Sequence, residues 1–304
     1  MTTLTSMTYA VTGKIARITL DRPARGNGIT LAMPGELAAC IERADLDPAV
    51  HVIALAGNGK GFCGGYDLAG SAEQRAEDFA GAAAPPGSPI DAAVVFSNHQ
   101  PGETWDPMVD YAMMSRNVRH FMSLFHANKP VVCKVQGFCV AGGTDMALCS
   151  DLLVIEDTAK IGYPPARVWG VPTTALWAHR IGIEKAKRLL FTGDCLSGAE
   201  ALAWGLATEA PSAADLDRRF EALLERITRV PVNQLMMHKL LINQTVTAQG
   251  LHTTQVLGTV FDGISRHTRE GHAFQQRAAE VGFRQAVRER DEPFGDAGPS
   301  TFKG

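Results

Sequence analysis

The chain reads as an α/β fold, with a repeated strand–strand–helix core over residues 1–200 and a helical region over 201–304. Three observations predict it. Val52-Ile53-Ala54-Leu55-Ala56 is a short apolar run that feeds the glycine-rich turn Gly57-Asn58-Gly59-Lys60-Gly61-Phe62-Cys63-Gly64-Gly65-Tyr66-Asp67-Leu68. Val131-Val132-Cys133-Lys134-Val135 feeds a second turn, Gly137-Phe138-Cys139-Val140-Ala141-Gly142-Gly143-Thr144-Asp145. From residue 175 onward the apolar residues recur at helical rather than alternating spacing.

Each element has a local reason. Residues 9–20 read as a hairpin that turns at Gly13-Lys14, with Ala16, Ile18 and Leu20 alternating inward. Asp21-Arg22-Pro23 breaks that strand. A helix begins after Thr30, turns Leu37 and Ile41 inward and ends near Asp47-Pro48. Residues 70–104 carry Gly81-Ala-Ala-Ala-Pro-Pro-Gly-Ser-Pro89, a composition that predicts a long surface loop, a candidate lid. Asp106-Pro107 gives a helix N-cap with proline at the first helical position. Met114, Val118, Phe121 and Phe125 follow as a core stripe, and Asn128-Lys129-Pro130 stops that helix. A short helix from about Gly142 and the strand Leu152-Leu153-Val154-Ile155 complete a second β-turn-α-β unit. Further helices are expected around Ala186–Leu190, after Ser197-Gly198-Ala199-Glu200, and over 213–229, 231–249 and 251–265.

Composition narrows the function classes. Among 304 residues 45% are hydrophobic and the net charge is −3, with basic residues scattered, so no nucleic-acid partner is expected. The six cysteines form no C-x-x-C pair, which predicts reduced, buried thiols and no metal site. Met1 to Ala10 lack the basic and apolar regions of a signal peptide, and no apolar run is long enough to span a bilayer. A cytoplasmic protein without a membrane association is the expectation. H-E-x-x-H and G-x-S-x-G are absent, so metalloprotease and α/β-hydrolase chemistry lack their residues. Gly59-x-Gly61-x-x-Gly64 matches a dinucleotide fingerprint, but the second strand and its acid are replaced by the Ala/Pro stretch, which rules out that reading.

The turns themselves carry chemistry. Glycine lets backbone approach a ligand closely, and a strand entering a helix through such a turn leaves N–H groups aimed outward. Two such turns meeting at one point would make an oxyanion hole, the device for enolate or tetrahedral-anion chemistry.

At these turns the chain resembles the enoyl-CoA hydratase/isomerase family, the crotonases. Supporting phrases span residues 8–285: Leu20-Asp21-Arg22-Pro23 with Asn27, Lys129-Pro130-Val131, Val135-Gln136-Gly137-Phe138, Cys149-Ser150-Asp151, Ala159-Lys160-Ile161-Gly162, Arg188-Leu189-Leu190-Phe191-Thr192-Gly193-Asp194 and Trp204-Gly205-Leu206. The resemblance implies a crotonase (ClpP/crotonase-like) spiral of ββα units with a helical C-terminal trimerisation region. It implies acyl-CoA thioester substrates, a homo-oligomer (a trimer or a dimer of trimers), and no cofactor beyond the coenzyme A of the substrate. Carried over by position, the oxyanion donors are the amides of Tyr66 and Gly142, and the first catalytic acid is Asp145. Coenzyme A contacts fall on Arg25 and Gly26 and on Gly64, Gly65, Tyr66, Asp67 and Leu68. The family's second glutamate has no counterpart, since Gly162-Tyr163-Pro164-Pro165-Ala166-Arg167 is one residue longer and Pro165 holds the place.

That departure shapes the expected activity: an enoyl-CoA hydratase-like lyase with one carboxylate. The alternatives are an isomerase, a C–C hydrolase of the same family, or a catalytically silent acyl-CoA-binding protein. One carboxylate can take and return a proton in turn. Aspartate is shorter than glutamate by about 1.5 Å, and Asp145 could instead only complement the helix dipole. Gly142 is expected to be glycine because a Cβ would crowd the sulfur-bearing group. Asp67 is expected to cap the following helix. Tyr163, Arg167, Glu103 and Asp110 are minor candidates for a polar group near the reacting carbons. Asp106 is read as a cap and His179-Arg180 as structural.

Overall fold

A computed structural model of the chain describes residues 4–67, 84–100 and 102–295. Strands β1 (Met7–Thr12), β2 (Ile15–Leu20), β3 (Val52–Gly57), β4 (Val131–Val135) and β6 (Leu152–Ile155) form a sheet in the order β1-β2-β3-β4-β6. The hairpin β1–β2 is antiparallel and every later pairing is parallel, so β3 and β4 point their C-terminal ends the same way. Both glycine turns therefore leave the same edge of one sheet. Ligands in open α/β sheets sit outside such carboxyl ends. A smaller sheet, β5 (Phe138–Val140), β7 (Lys160–Gly162) and β8 (Cys195–Ser197), takes its first strand from within the second turn.

The sheet is covered on both faces, which explains why β3 is apolar without alternation. One face carries Ala16, Ile18, Leu20, Ile53 and Leu55, all at most 3% exposed, beneath the helix Met33–Leu46 and its Leu37 and Ile41. The other face carries Ile15, Val52, Ala54, Val132 and Val154 beneath Leu216, Phe220 and Leu224 of the helix Leu216–Thr228.

Most expected elements are found. The Met33 amide donates to Thr30 Oγ1 at 3.2 Å at the start of the first long helix. Asp106 caps Pro107–Phe121 by accepting from the Met108 amide, and Ser197 with Glu200 forms a full capping box. Arg180 donates to the Ser150 and Leu206 carbonyls, a structural role. All six cysteines are free and buried. Among the described residues no helix is long and apolar enough to cross a membrane.

One expectation changes. The stretch 70–104 is not a loop throughout, because Ala92–Asn98 is a helix capped by Asp91, whose Oδ1 accepts from the Ala93 amide at 3.0 Å. The Pro/Gly run ends before it, and Ala-Ala-Val-Val-Phe is free to wind. Two helices not placed individually from sequence, Arg269–Val281 and Phe283–Asp291, lie within the helical region expected over 201–304.

Candidate active site

The two glycine turns converge. Phe62 donates to the Phe138 carbonyl at 2.8 Å, Val140 donates to the Cys63 carbonyl at 3.0 Å, and Cys63 bridges Cys139 in parallel register. A Cβ on Gly143 would stand 2.6 Å from the Cys63 carbonyl oxygen, so the second turn can lie this close only as glycine. Ala141 precedes the helix Gly142–Ala147 at φ 54° and ψ −130°, a region L-residues rarely adopt. Such strain persists only where surrounding structure enforces it and is common at functional sites. Here it sets the direction of the Gly142 amide.

The first turn is held by Asn27, wholly buried and itself at φ 53°. Its Nδ2 donates to the carbonyls of Asn58, Gly61 and Phe62 at 2.9, 3.1 and 3.0 Å, and its Oδ1 accepts from the Arg22 amide at 2.9 Å. Neighbouring amides of the turn are engaged: Gly64 N–H donates to the Gly26 carbonyl and Asp67 N–H to that of Ile29. The amides of Tyr66 and Gly142 are different, because among the described residues neither has a protein acceptor.

Both residues line a cavity of about 770 Å³. Apolar side chains from Ile29, Leu31, Val95, Met113 and Met114 form much of its wall, so the helix Ala92–Asn98 contributes to the site. Of the coenzyme A candidates, Gly64, Tyr66 and Asp67 line the cavity, whereas Arg25, Gly26 and Gly65 do not. Leu68 lies outside the described residues. The two candidate segments do meet: Asp67 accepts from Arg25 at 2.8 Å and pairs with Arg22 at 3.0 Å. Burial raises the Asp67 carboxyl, but the two arginines outweigh it and hold it below the usual range. Its side chain thus ties the first turn to the Arg22–Arg25 segment, and the residues it was expected to cap lie outside the described residues.

Gly142 owes its identity to a protein neighbour. A Cβ there would stand 2.8 Å from Cδ2 and Cε2 of Tyr66 and 3.0 Å from Ile29 Cδ1. The Tyr66 ring is thus a protein neighbour that crowds this position, in addition to the sulfur-bearing group expected from sequence.

Asp145 sits on the buried side of the same helix, 1% exposed and not itself in the cavity lining. Its Oδ1 accepts from the Thr174 amide at 3.0 Å and the Thr174 hydroxyl at 2.8 Å, while Oδ2 has no partner among the described residues. Burial pushes the carboxyl up, the Thr174 hydrogen bonds pull it down, the Asp262 charge pushes it up again, and the outcome is about 7. An unpartnered buried carboxyl oxygen requires an explanation beyond packing.

Pro165 lines the cavity where a second acid was sought, and so does Tyr163, whose hydroxyl donates to the Val171 carbonyl at 3.0 Å. Arg167 is committed to ion pairs with Asp194 and Asp291. Asp110 is buried and receives the Trp105 indole N–H at 2.6 Å; Glu103 is exposed. Sequence reasoning missed Asp262, Arg266 and Asn117, all in the lining. Asp262 pairs with Arg266 one turn along their helix, and its Oδ1 accepts from the Val171 amide at 3.1 Å. An i,i+4 acid–base pair inside an otherwise apolar helix was the available signal.

The α/β core thus brings two turn amides, neither with a protein acceptor among the described residues, to one cavity. The chain belongs to the Enoyl-CoA hydratase/isomerase family, whose model matches residues 11–85 and 104–278, and it is an enoyl-CoA hydratase-like enzyme of the crotonase fold. A crystal structure titled enoyl-CoA hydratase from Mycobacterium smegmatis is 55% identical, with a TM-score of 0.91 over 99% of this chain and 98% of that one. EchA13 of Mycobacterium tuberculosis, provisionally named an enoyl-CoA hydratase, is 33% identical over 244 residues, 78% of this chain and 73% of that protein. Carnitinyl-CoA dehydratase of Proteus mirabilis is 27% identical over 226 residues, 73% of this chain and 74% of that protein.

Proposed function

We propose that the protein is an enoyl-CoA hydratase-like lyase in which the Tyr66 and Gly142 amides hold the thioester oxygen of an acyl-CoA. The observation that carries this reading is the pair of unengaged amides on interlocked turns at the cavity wall. Negative charge develops on that oxygen when the α-carbon gains carbanion character or the β-carbon is attacked. Each preorganised donor contributes roughly 3–4 kcal/mol to such a transition state.

Asp145 handles the proton. A carboxyl near 7 is divided between acid and base at neutral pH, which suits a group that must take a proton and return it. Thr174 fixes one oxygen and leaves the other for the water or substrate. Arg25, Gly26, Gly64, Gly65, Tyr66 and Asp67 hold the coenzyme A portion, with the Arg25–Asp67 pair joining the two segments. No further cofactor enters.

Pro165 favours a second reading, a 1,3-isomerase, because a proton shift between carbons needs one base only. Exposed apolar side chains on the helices Val232–Ala248 and Leu251–Arg266, including Leu240, Leu241, Ile242 and Phe261, support a homo-oligomer, a trimer or a dimer of trimers. The enzyme works in the cytoplasm.

Loss of the crotonyl-CoA enone absorbance, run beside calorimetry with saturated acyl-CoA, tests the lyase. Turnover that disappears in Asp145→Asn while binding persists supports it. Binding without turnover on short, medium and long enoyl-CoA esters would identify a silent acyl-CoA-binding protein instead.

A further inference from the structure

Val95, Met113 and Met114 form a buried apolar cluster against which Leu31 and the Tyr66 ring pack, and all five line the cavity. Two polar groups are set into this wall: Asn117 Nδ2 lies 3.4 Å from the Tyr66 hydroxyl. The direction of that contact is decided by a neighbour. Asn117 Oδ1 faces the Arg116 guanidinium at 3.4 Å, which can only donate, so the amide NH2 is turned toward the phenol. Tyr66 Oη is therefore the acceptor, and its own proton needs another partner. Among the described residues no acceptor lies within hydrogen-bond reach of it. Burial first, and the nearby Asp145 charge second, raise the phenol well above its ordinary value, so it stays a donor throughout the physiological range.

We propose that the Tyr66 hydroxyl, oriented by Asn117, is a specificity-determining donor that binds an oxygen substituent carried on the acyl chain. The inference rests on the thioester reading of the cavity. A tyrosine whose backbone serves the thioester oxygen thereby places its side chain toward the next part of the same ligand. The ring lies over Gly142, and the hydroxyl projects to the apolar wall that faces an acyl chain. A hydroxyl or carbonyl on that chain supplies the missing acceptor. A saturated chain leaves the donor unpaired, a cost that sites built around one hydrogen bond convert into selectivity.

Calorimetry with matched pairs, 3-hydroxybutyryl-CoA against butyryl-CoA and 3-hydroxyoctanoyl-CoA against octanoyl-CoA, tests it in wild type, Tyr66→Phe and Asn117→Leu. Wild type is expected to prefer the hydroxylated ester by about tenfold. Tyr66→Phe keeps the amide and the ring but has no donor to leave unpaired, so it should bind the two esters of each pair about equally. Asn117→Leu should narrow the preference by freeing the phenol to rotate. No preference in wild type, or an undiminished preference in Tyr66→Phe, overturns the inference while leaving thioester binding intact. Failure of every ester to bind wild type overturns the thioester reading and this inference together. Should Tyr66→Phe not fold, the wild-type preference and its response to Asn117→Leu decide the matter.

Discussion

The Tyr66 ring lies so close over Gly142 that a single methyl on residue 142 would meet two ring carbons at 2.8 Å. The two oxyanion candidates are thus packed on each other as well as aimed at one cavity. Gly142→Ala must push the ring or tilt the helix, and either displaces an amide. A misplacement of about 1 Å costs on the order of 10²-fold in rate. Steady-state kinetics on an enoyl-CoA should show that loss mainly in kcat. Retention of full kcat would mean the ring yields without disturbing the amides.

Asp145 links activity to stability in opposite senses. Its carboxyl is raised to about 7 from an ordinary 3.8, so between those values the native protein keeps a proton that the unfolded chain has released. Stability therefore falls as pH rises through that window, and the cost is complete above it. Asparagine keeps the Thr174 hydrogen bonds and cannot ionise. Asp145→Asn should be more stable than wild type at pH 8.5, by about 1–3 kcal/mol, with the gap closing toward pH 4. The same variant should lose about 10²–10⁴-fold in kcat. Thermal melts at the two pH values, paired with the rate assay, check both halves.

Asn27 fastens the first turn to the Arg22 segment through four hydrogen bonds. Its replacement by leucine strands three carbonyls and one amide that it now satisfies. Loss of about 2–4 kcal/mol is expected in urea unfolding, together with a raised KM for the thioester as the Gly64–Asp67 segment loosens. A change below about 0.5 kcal/mol would show that the turn is held by its contact with the second turn instead.

Leu240, Leu241 and Phe261 are between 51% and 70% exposed on consecutive helices. Sedimentation should find a trimer or a multiple of it, and Leu241→Glu combined with Phe261→Glu should reduce its mass. A monomeric wild type would contradict the assignment of these helices to assembly.

What could be read from sequence was whatever short-range chemistry dictates. Glycines at 142 and 143 follow from backbone approach, Asp106-Pro107 announces a helix start, and Ala16, Ile18 and Leu20 alternate with the partly buried Arg17 and Thr19. Glycine 142 was legible as a close contact, but its neighbour was not, because Tyr66 is brought to it by the fold alone. Strands β5, β7 and β8 are three residues each, too short for a period to declare itself. Asp262 and Asn117 enter the cavity from helices whose apolar residues dominate the pattern, so apolar spacing alone did not single them out. The helix Ala92–Asn98 was hidden by the Pro/Gly run before it.

A crystal structure with a saturated acyl-CoA bound measures the central claim most directly. The thioester oxygen should lie roughly 2.7–3.1 Å from the main-chain nitrogens of both Tyr66 and Gly142. An ester seated in the cavity with its carbonyl turned away from either nitrogen would contradict the account.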